Sequence, residues 1–256
     1  MKVIMLLNEK GGVGKTTLAV NLACGIALRG HQTLFIDADA QADATTKLLG
    51  LTAYGALYNL LVRPEEPDGE WERCIRKVNP NTVGQGGAEL YVVRGSQETR
   101  NIANSASGGI LNERLLEIAD IFEYVVIDAA PTPDLFHAML LASSDYVIIP
   151  TQAEVQSFGG VNKTIEHAQK VALLAGGAQV IGIIPNMVRN MSLHEQVIGQ
   201  LEHDYPTLVW DKIVLSAVFP EAAATHQSVF AYAPNHARTA DMWSIVNRTI
   251  GVTING

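Results

Sequence analysis

Apolar residues along the chain fall into short β-branched runs separated by longer stretches with a helical repeat. The runs Val3–Leu7, Thr33–Ile36, Leu90–Val93, Tyr124–Ile127, Tyr146–Ile149, Gln179–Ile184 and Trp210–Val214 are strand candidates. Most are nearly continuous in apolar character, which predicts strands buried on both faces, as in a parallel sheet covered by helices. Between the runs, Leu18, Leu22 and Ile26 share one helix face and Leu193, Val197 and Leu201 another; Ser192 followed by Glu195 reads as a capping box opening the second helix. Strand and helix in alternation predict an α/β fold, a doubly wound, mostly parallel sheet with helices on both faces. Ligands of such folds sit at the carboxyl ends of the strands.

The pattern is least regular over residues 63–87, where Pro64, Pro67, Pro80, Gly84, Gly86 and Gly87 interrupt a stretch of mixed charge. The expectation is one domain over residues 1–256 carrying a surface insertion at about 63–87. A second flexible spot is expected at Ser105–Gly109, ahead of a helix opened by Asn112.

Composition narrows the class. The 256 residues are 48% hydrophobic and 17% charged, which gives enough apolar material for a large core and excludes disorder as the main state. No apolar run approaches the roughly 18 residues of a membrane span. Cys24 and Cys74 lack any metal-ligand or disulfide spacing, so a reducing cytoplasm is the expected compartment. The 18 basic residues against 26 acidic ones leave a charge of −8, which argues against coating nucleic acid by bulk charge and leaves a local basic patch open.

The chemistry concentrates after the first strand, in Glu9-Lys10-Gly11-Gly12-Val13-Gly14-Lys15-Thr16-Thr17. Glycines let backbone N–H groups approach phosphate oxygens, and the helix that follows turns its positive end toward the same place. Lys15 supplies a point charge for the β- and γ-phosphates, and the Thr16 hydroxyl can ligate Mg²⁺. The ordinary phosphate-loop spacing would need glycine at position 9. This chain has Glu9 there, and a second lysine, Lys10, before the glycine pair.

Lys10–Thr17 resembles the signature Lys-Gly-Gly-x-Gly-Lys-Thr-Thr of the ParA/MinD family of deviant Walker A ATPases, and the resemblance runs over essentially the whole chain, with ParA the nearer branch. It implies a homodimer formed on ATP, in which Lys10 reaches the partner's phosphates. The segment Asp37-Ala38-Asp39-Ala40-Gln41 resembles the family's Asp-x-Asp-x-Gln, which assigns Asp39 to the attacking water and Asp37 to the neighbourhood of Mg²⁺. Two carboxylates fit a reaction that needs positioning and charge neutralisation more than a strong base. Asp128, at the end of an apolar strand, is the expected third metal-site residue. The family usually continues with Cys-Pro-Pro, where this chain has Ala129-Ala130-Pro131. Thr151 to Glu154 follows the next strand and matches a part of the family's dimer interface. Asn186 stands where relatives place an amide against adenine, a role to be set against that of an ordinary turn residue.

The cargo is open. ParA-type relatives bind DNA nonspecifically as ATP dimers and are released when a ParB-like partner or adaptor stimulates hydrolysis; MinD-type relatives grip membrane with a C-terminal amphipathic helix. Here the last helix, about Asn235–Ile250, is amphipathic, but the tail Gly251–Gly256 has no combined basic and bulky apolar character, so a helix closing the core and no membrane role are expected. For DNA, Val214, Leu215 and Val218 occupy the positions where the family commonly has Pro, Arg and Arg. The remaining candidate cations are Lys163, His167 and Lys170 on one helix face, with Arg189, Arg238 and Arg248; ordinary solvated surface is the competing reading. Three functions follow: a partition ATPase carrying DNA or a large cargo, with nucleoid association; an ATP-gated protein switch that leaves DNA alone; and a biosynthetic or electron-transfer relative, such as an amidating synthase. Two isolated cysteines do not supply the ligands of an electron-transfer cluster.

Overall fold

The computed structural model describes residues 1–255, so Gly256, the last residue of the tail considered above, lies outside the described residues. Seven strands form one sheet: β1 (Lys2–Leu6), β2 (Thr33–Ala38), β3 (Ile75–Lys77), β4 (Leu90–Val93), β5 (Tyr124–Ala129), β6 (Tyr146–Gln152) and β7 (Gln179–Asn186). Their order is β3-β4-β2-β5-β1-β6-β7, and every pairing is parallel except that of β3 with β4. The helices of eight or more residues are α1 (Lys15–Leu28), α2 (Leu135–Ala142), α3 (Ser157–Ala175), α4 (Ser192–Asp204) and α5 (Ala237–Asn255).

Alternate residues of each strand feed opposite faces, as the pleat requires. Ile4 and Leu6 join Leu18, Leu22 and Ile26 of α1 and Met242, Ile245 and Val246 of α5 in one core layer. Val3, Met5 and Leu7 join Met139 and Leu140 of α2 and Val161 and Ala168 of α3 in the other. The sheet is therefore doubly wound, with both faces dry. On the first face α1 and α5 approach closely enough that a Cβ at Gly25 would meet Val246 at 2.4 Å. Cys24 is fully buried in that layer, and burial pushes its thiol up to about 12.

Several local expectations are corrected. Trp210–Val214 is not a sheet strand; the chain around it runs beside β7 and the residues just after it, with isolated bridges from Ile183 to Val209 and from Val188 to Val214 and with the Trp210 and Ile213 N–H groups donating to the Ile183 and Pro185 carbonyls. Pro185 has no N–H to donate on the side where the Ile183 N–H meets the Leu208 carbonyl, so a regular ladder stops there while the pairing with β6 continues to Asn186. The seventh strand is instead β3, three residues within the irregular 63–87 stretch and too short for a periodic signal. Trp71 and Cys74 of the same stretch are buried. The capping box does not form either: Met191 is the N-cap of α4, Ser192 is already helical, and Leu193 stays 45% exposed. The turn is held another way, with the Arg189 N–H donating to His194 Nδ1 at 3.0 Å. Finally, the helix after residues 105–109 begins at Ile110, and the last helix spans Ala237–Asn255, burying Thr239, Met242, Ile245 and Val246 while Ala240 faces out. No helix among the described residues is long and apolar enough to cross a membrane.

Candidate nucleotide site

β1 is central, between β5 and β6, so the loop leaving its carboxyl end opens over the middle of the sheet. Gly12 and Gly14 hold φ of +76° and +88°, left-handed values that favour glycine, and Gly14 is the N-cap of α1. A Cβ on Gly14 would lie 2.3 Å from Asn186 Nδ2. The loop is braced from three sides: Asn186 Nδ2 donates to the Val13 carbonyl at 2.8 Å, Gln152 Nε2 to the Gly12 carbonyl at 3.1 Å, and Asn8 Nδ2 to the Pro150 carbonyl at 2.8 Å. Asn186 thus spends amide donor capacity on the loop, while also lining a cleft of about 440 Å³ with Thr16, Met187, Val214, Leu215 and Phe219.

The two loop lysines occupy different places. Lys15 is 7% exposed, its Nζ 3.5 Å from the Lys10 carbonyl inside the loop. Burial holds its ammonium below the ordinary range, and the Asp128 and Asp39 charges draw it back up. Lys10 points the other way, and its ammonium reaches Glu154 Oε2 beyond β6 at 2.6 Å. That bond, and the charge behind it, hold the Glu154 carboxyl below its ordinary range.

Asp37 and Asp128 are register partners on adjacent strands β2 and β5, both fully buried. They are satisfied very differently. Asp37 Oδ2 accepts the Thr45 N–H at 2.8 Å and the Thr45 hydroxyl at 2.6 Å, and Oδ1 accepts the Asp39 N–H at 3.3 Å. Burial pushes Asp37 up to about 6 even so, with the Thr45 bonds working against it. Neither carboxylate oxygen of Asp128 has a hydrogen-bond partner. Burial and the Asp37 charge push its carboxyl well above the ordinary range, while Thr16 and Lys15 act in the opposite sense. A buried carboxylate with both oxygens unpartnered, beside a buried lysine and a threonine hydroxyl, fits a hard divalent cation such as Mg²⁺. Asp39 is half-buried at the mouth, its Oδ1 accepting the Gln41 N–H at 2.8 Å.

Sequence reasoning missed several groups here. Thr45 follows Asp37 by eight residues, across a turn with no repeat to mark it. His137 in α2 is 2% exposed with neither ring nitrogen partnered, and its ring lies 5.3 Å from that of His167, whose Nδ1 is 3.7 Å from Glu9. Burial, reinforced by His167, lowers His137 to about 4, so the neutral form is the one the fold accommodates. Stability from this group is fully present above pH about 6.5 and is lost as pH falls toward 4. The expected loss between pH 7 and 4.5 is about 2 kcal/mol, from the linkage of one depressed imidazole. Urea unfolding of wild type and His137→Phe at both pH values checks this: the variant should lack that share of the acid loss, and identical pH dependence would contradict it.

Of the cations considered for DNA, Lys163, His167 and Lys170 do share one face of α3, around a cleft with Glu9, Pro133 and Glu166. Arg238 pairs with Asp241, Arg248 stacks on Trp210, and Arg189 is exposed. Val218 is buried in the core, so that position offers no surface contact, whereas Leu215 is 46% exposed.

A glycine loop between a central parallel strand and a helix, with carboxylates on the neighbouring strand ends, defines a P-loop NTPase fold. Comparison with known proteins agrees. Residues 1–175 match the family model described as AAA domain. The chromosome-partitioning ATPase Soj of Thermus thermophilus is 30% identical over 234 residues, covering 90% of this chain and 88% of that protein. An ATP complex of McdA from Cyanothece superposes with a TM-score of 0.81 at 19% identity, covering 98% of this chain and 96% of that one. MinD of Pyrococcus horikoshii with Mg-ADP gives 0.77 at 18% identity, over 97% and 95%. The chain belongs to the ParA/MinD family of P-loop ATPases.

Proposed function

We propose that this chain is a Mg²⁺-dependent ATPase that forms a homodimer on binding ATP and acts as a switch for partitioning or positioning DNA or another large cargo. One observation carries the reading: the loop holds two lysines with divided placement, Lys15 buried within it and Lys10 extended over its rim to Glu154. An ammonium aimed away from its own loop is suited to the phosphates of a second copy. In this reading Gly11, Gly12, Val13, Gly14, Lys15, Thr16 and Thr17 cradle the triphosphate, and Asn186 steadies Val13 at the edge of the apolar cleft that receives the base. Thr16 and Asp128 would hold Mg²⁺, with Asp37 as a neighbouring charge; when bound, the ion neutralises charge on the phosphates. Asp39 positions the attacking water. The relatives solved with ATP and with Mg-ADP support both ligands.

The same chain is proposed to work as one domain in the cytoplasm, with an adaptor or ParB-like partner accelerating hydrolysis. DNA is the cargo favoured by the Soj relative's chromosome-partitioning role and by the Lys163, His167 and Lys170 face. The test is binding of nonspecific duplex DNA across a salt series with ATP and with ADP. Expected is ATP-dependent binding whose log K falls with log salt by about 0.9 per phosphate contacted, the slope shrinking by about two in Lys163→Ala/Lys170→Ala. No binding at low salt with ATP favours a switch acting on protein alone.

A further inference from the structure

Resting on the ATPase reading above, we infer that Thr45 is a positioning residue for hydrolysis, fixing the Asp37 carboxylate so that it in turn sets the backbone that presents Asp39. Thr45 is fully buried, in the short helical turn Ala44–Leu48 that follows β2. It puts two donors, its N–H and its hydroxyl, on one oxygen of Asp37. The other Asp37 oxygen accepts the Asp39 N–H. The Thr45 hydroxyl also accepts the Gly95 N–H at 3.2 Å, which ties the ends of β2 and β4 together. Asp37 is closed in on that side too, because a Cβ at Gly95 would lie 2.8 Å from the Asp37 carbonyl and 3.0 Å from its carboxyl carbon.

The consequence lies in the contrast with Asp128. Two adjacent buried carboxylates compete for the same cations. Three hydrogen bonds, from the N–H groups of residues 39 and 45 and from the Thr45 hydroxyl, commit Asp37, and Asp128 keeps both oxygens open toward Thr16 and Lys15. Without the hydroxyl, Asp37 loses its shortest bond and the Gly95 N–H loses its acceptor. The carboxylate is then held only by the N–H groups of residues 39 and 45, and it turns more readily from the Asp39 segment toward its neighbour. Thr45 touches neither phosphate nor water in this scheme, so its removal should slow turnover and spare nucleotide affinity.

Thr45→Val keeps the shape and removes the hydroxyl; Thr45→Ser restores it. Expected are an ATPase rate at least tenfold lower in Thr45→Val with ATP affinity within about twofold of wild type, and a rate within about threefold of wild type in Thr45→Ser. In an Asp39→Ala background Thr45→Val should add no further loss, since both act on one element. Apart from turnover, amide hydrogen exchange at Asp39 and Gly95 should quicken in Thr45→Val and not in Thr45→Ser. Should the valine variant not fold, Thr45→Cys, with only a weak donor, takes its place. Exchange unchanged at both amides, a serine variant as slow as the valine or cysteine one, or a full additive loss on Asp39→Ala overturns the inference. A parent chain that fails to hydrolyse ATP overturns the ATPase reading itself, and the exchange result still decides the role of Thr45.

Discussion

Lys10→Ala is expected to bind ATP and remain monomeric. The Lys10 side chain makes no contact that shapes its own loop; the loop is braced by Asn8, Gln152 and Asn186, and its interior charge is Lys15. What the alanine variant loses is a cation free to leave Glu154. That ion pair is half exposed, and surface pairs of this kind contribute on the order of 1 kcal/mol or less, so Glu154 does not hold Lys10 irreversibly. A lysine placed against a partner's buried phosphates is worth more. Truncating one member of a desolvated charge pair costs about 3 kcal/mol, or more than a hundredfold in the dimer dissociation constant. Sedimentation with a slowly hydrolysed ATP analogue and Mg²⁺ should therefore show dimers for the wild type and monomers for Lys10→Ala, while fluorescence titration shows similar nucleotide affinity. Lys15→Ala, by contrast, should lose nucleotide binding itself.

Asp39→Ala should fail differently, retaining ATP and dimerising while hydrolysing about a hundredfold more slowly, the usual scale for removing one positioning or electrostatic group. Asp39 is half-buried at the mouth of the site, close enough for its charge to act on both Lys15 and Asp128, yet its side chain braces only the Gln41 N–H. Its loss should leave the cradle intact. Single-turnover measurements on preloaded protein separate the two steps. Unchanged hydrolysis would remove Asp39 from the water-positioning role, and lost ATP binding would place it in the cradle instead.

Much of this arrangement is legible in the chain before folding, because phosphate recognition is local. A strand, a glycine loop and a helix must follow one another, and the apolar run Val3–Leu7, the loop of Lys10–Thr17 and the repeat Leu18, Leu22 and Ile26 show all three in order. The continuous apolar runs likewise announce a sheet buried on both faces, and α1 presents Leu18, Leu22 and Ile26 to the core as their spacing predicts. The parts that escape are those made by contacts between distant segments. Thr45 gains its meaning from Asp37 and Gly95, and Asn186 is committed to Val13, far along the chain. The stop in the ladder at Pro185 erases a strand that Trp210–Val214 advertises, while β3 pairs with β4 at the edge through a segment too short and too polar to announce itself. Val218 marks a limit of another kind: the residue type at that position was readable, and its burial was not.

The ATP-gated dimer is tested most directly by light scattering on the purified chain with Mg²⁺ and either ATP or ADP, using Asp39→Ala to hold the ATP state. A mass twice that of the monomer with ATP, reverting to monomer with ADP and never doubling in Lys10→Ala, is the predicted result. A mass that is the same with either nucleotide, or doubling that persists in Lys10→Ala, would contradict it.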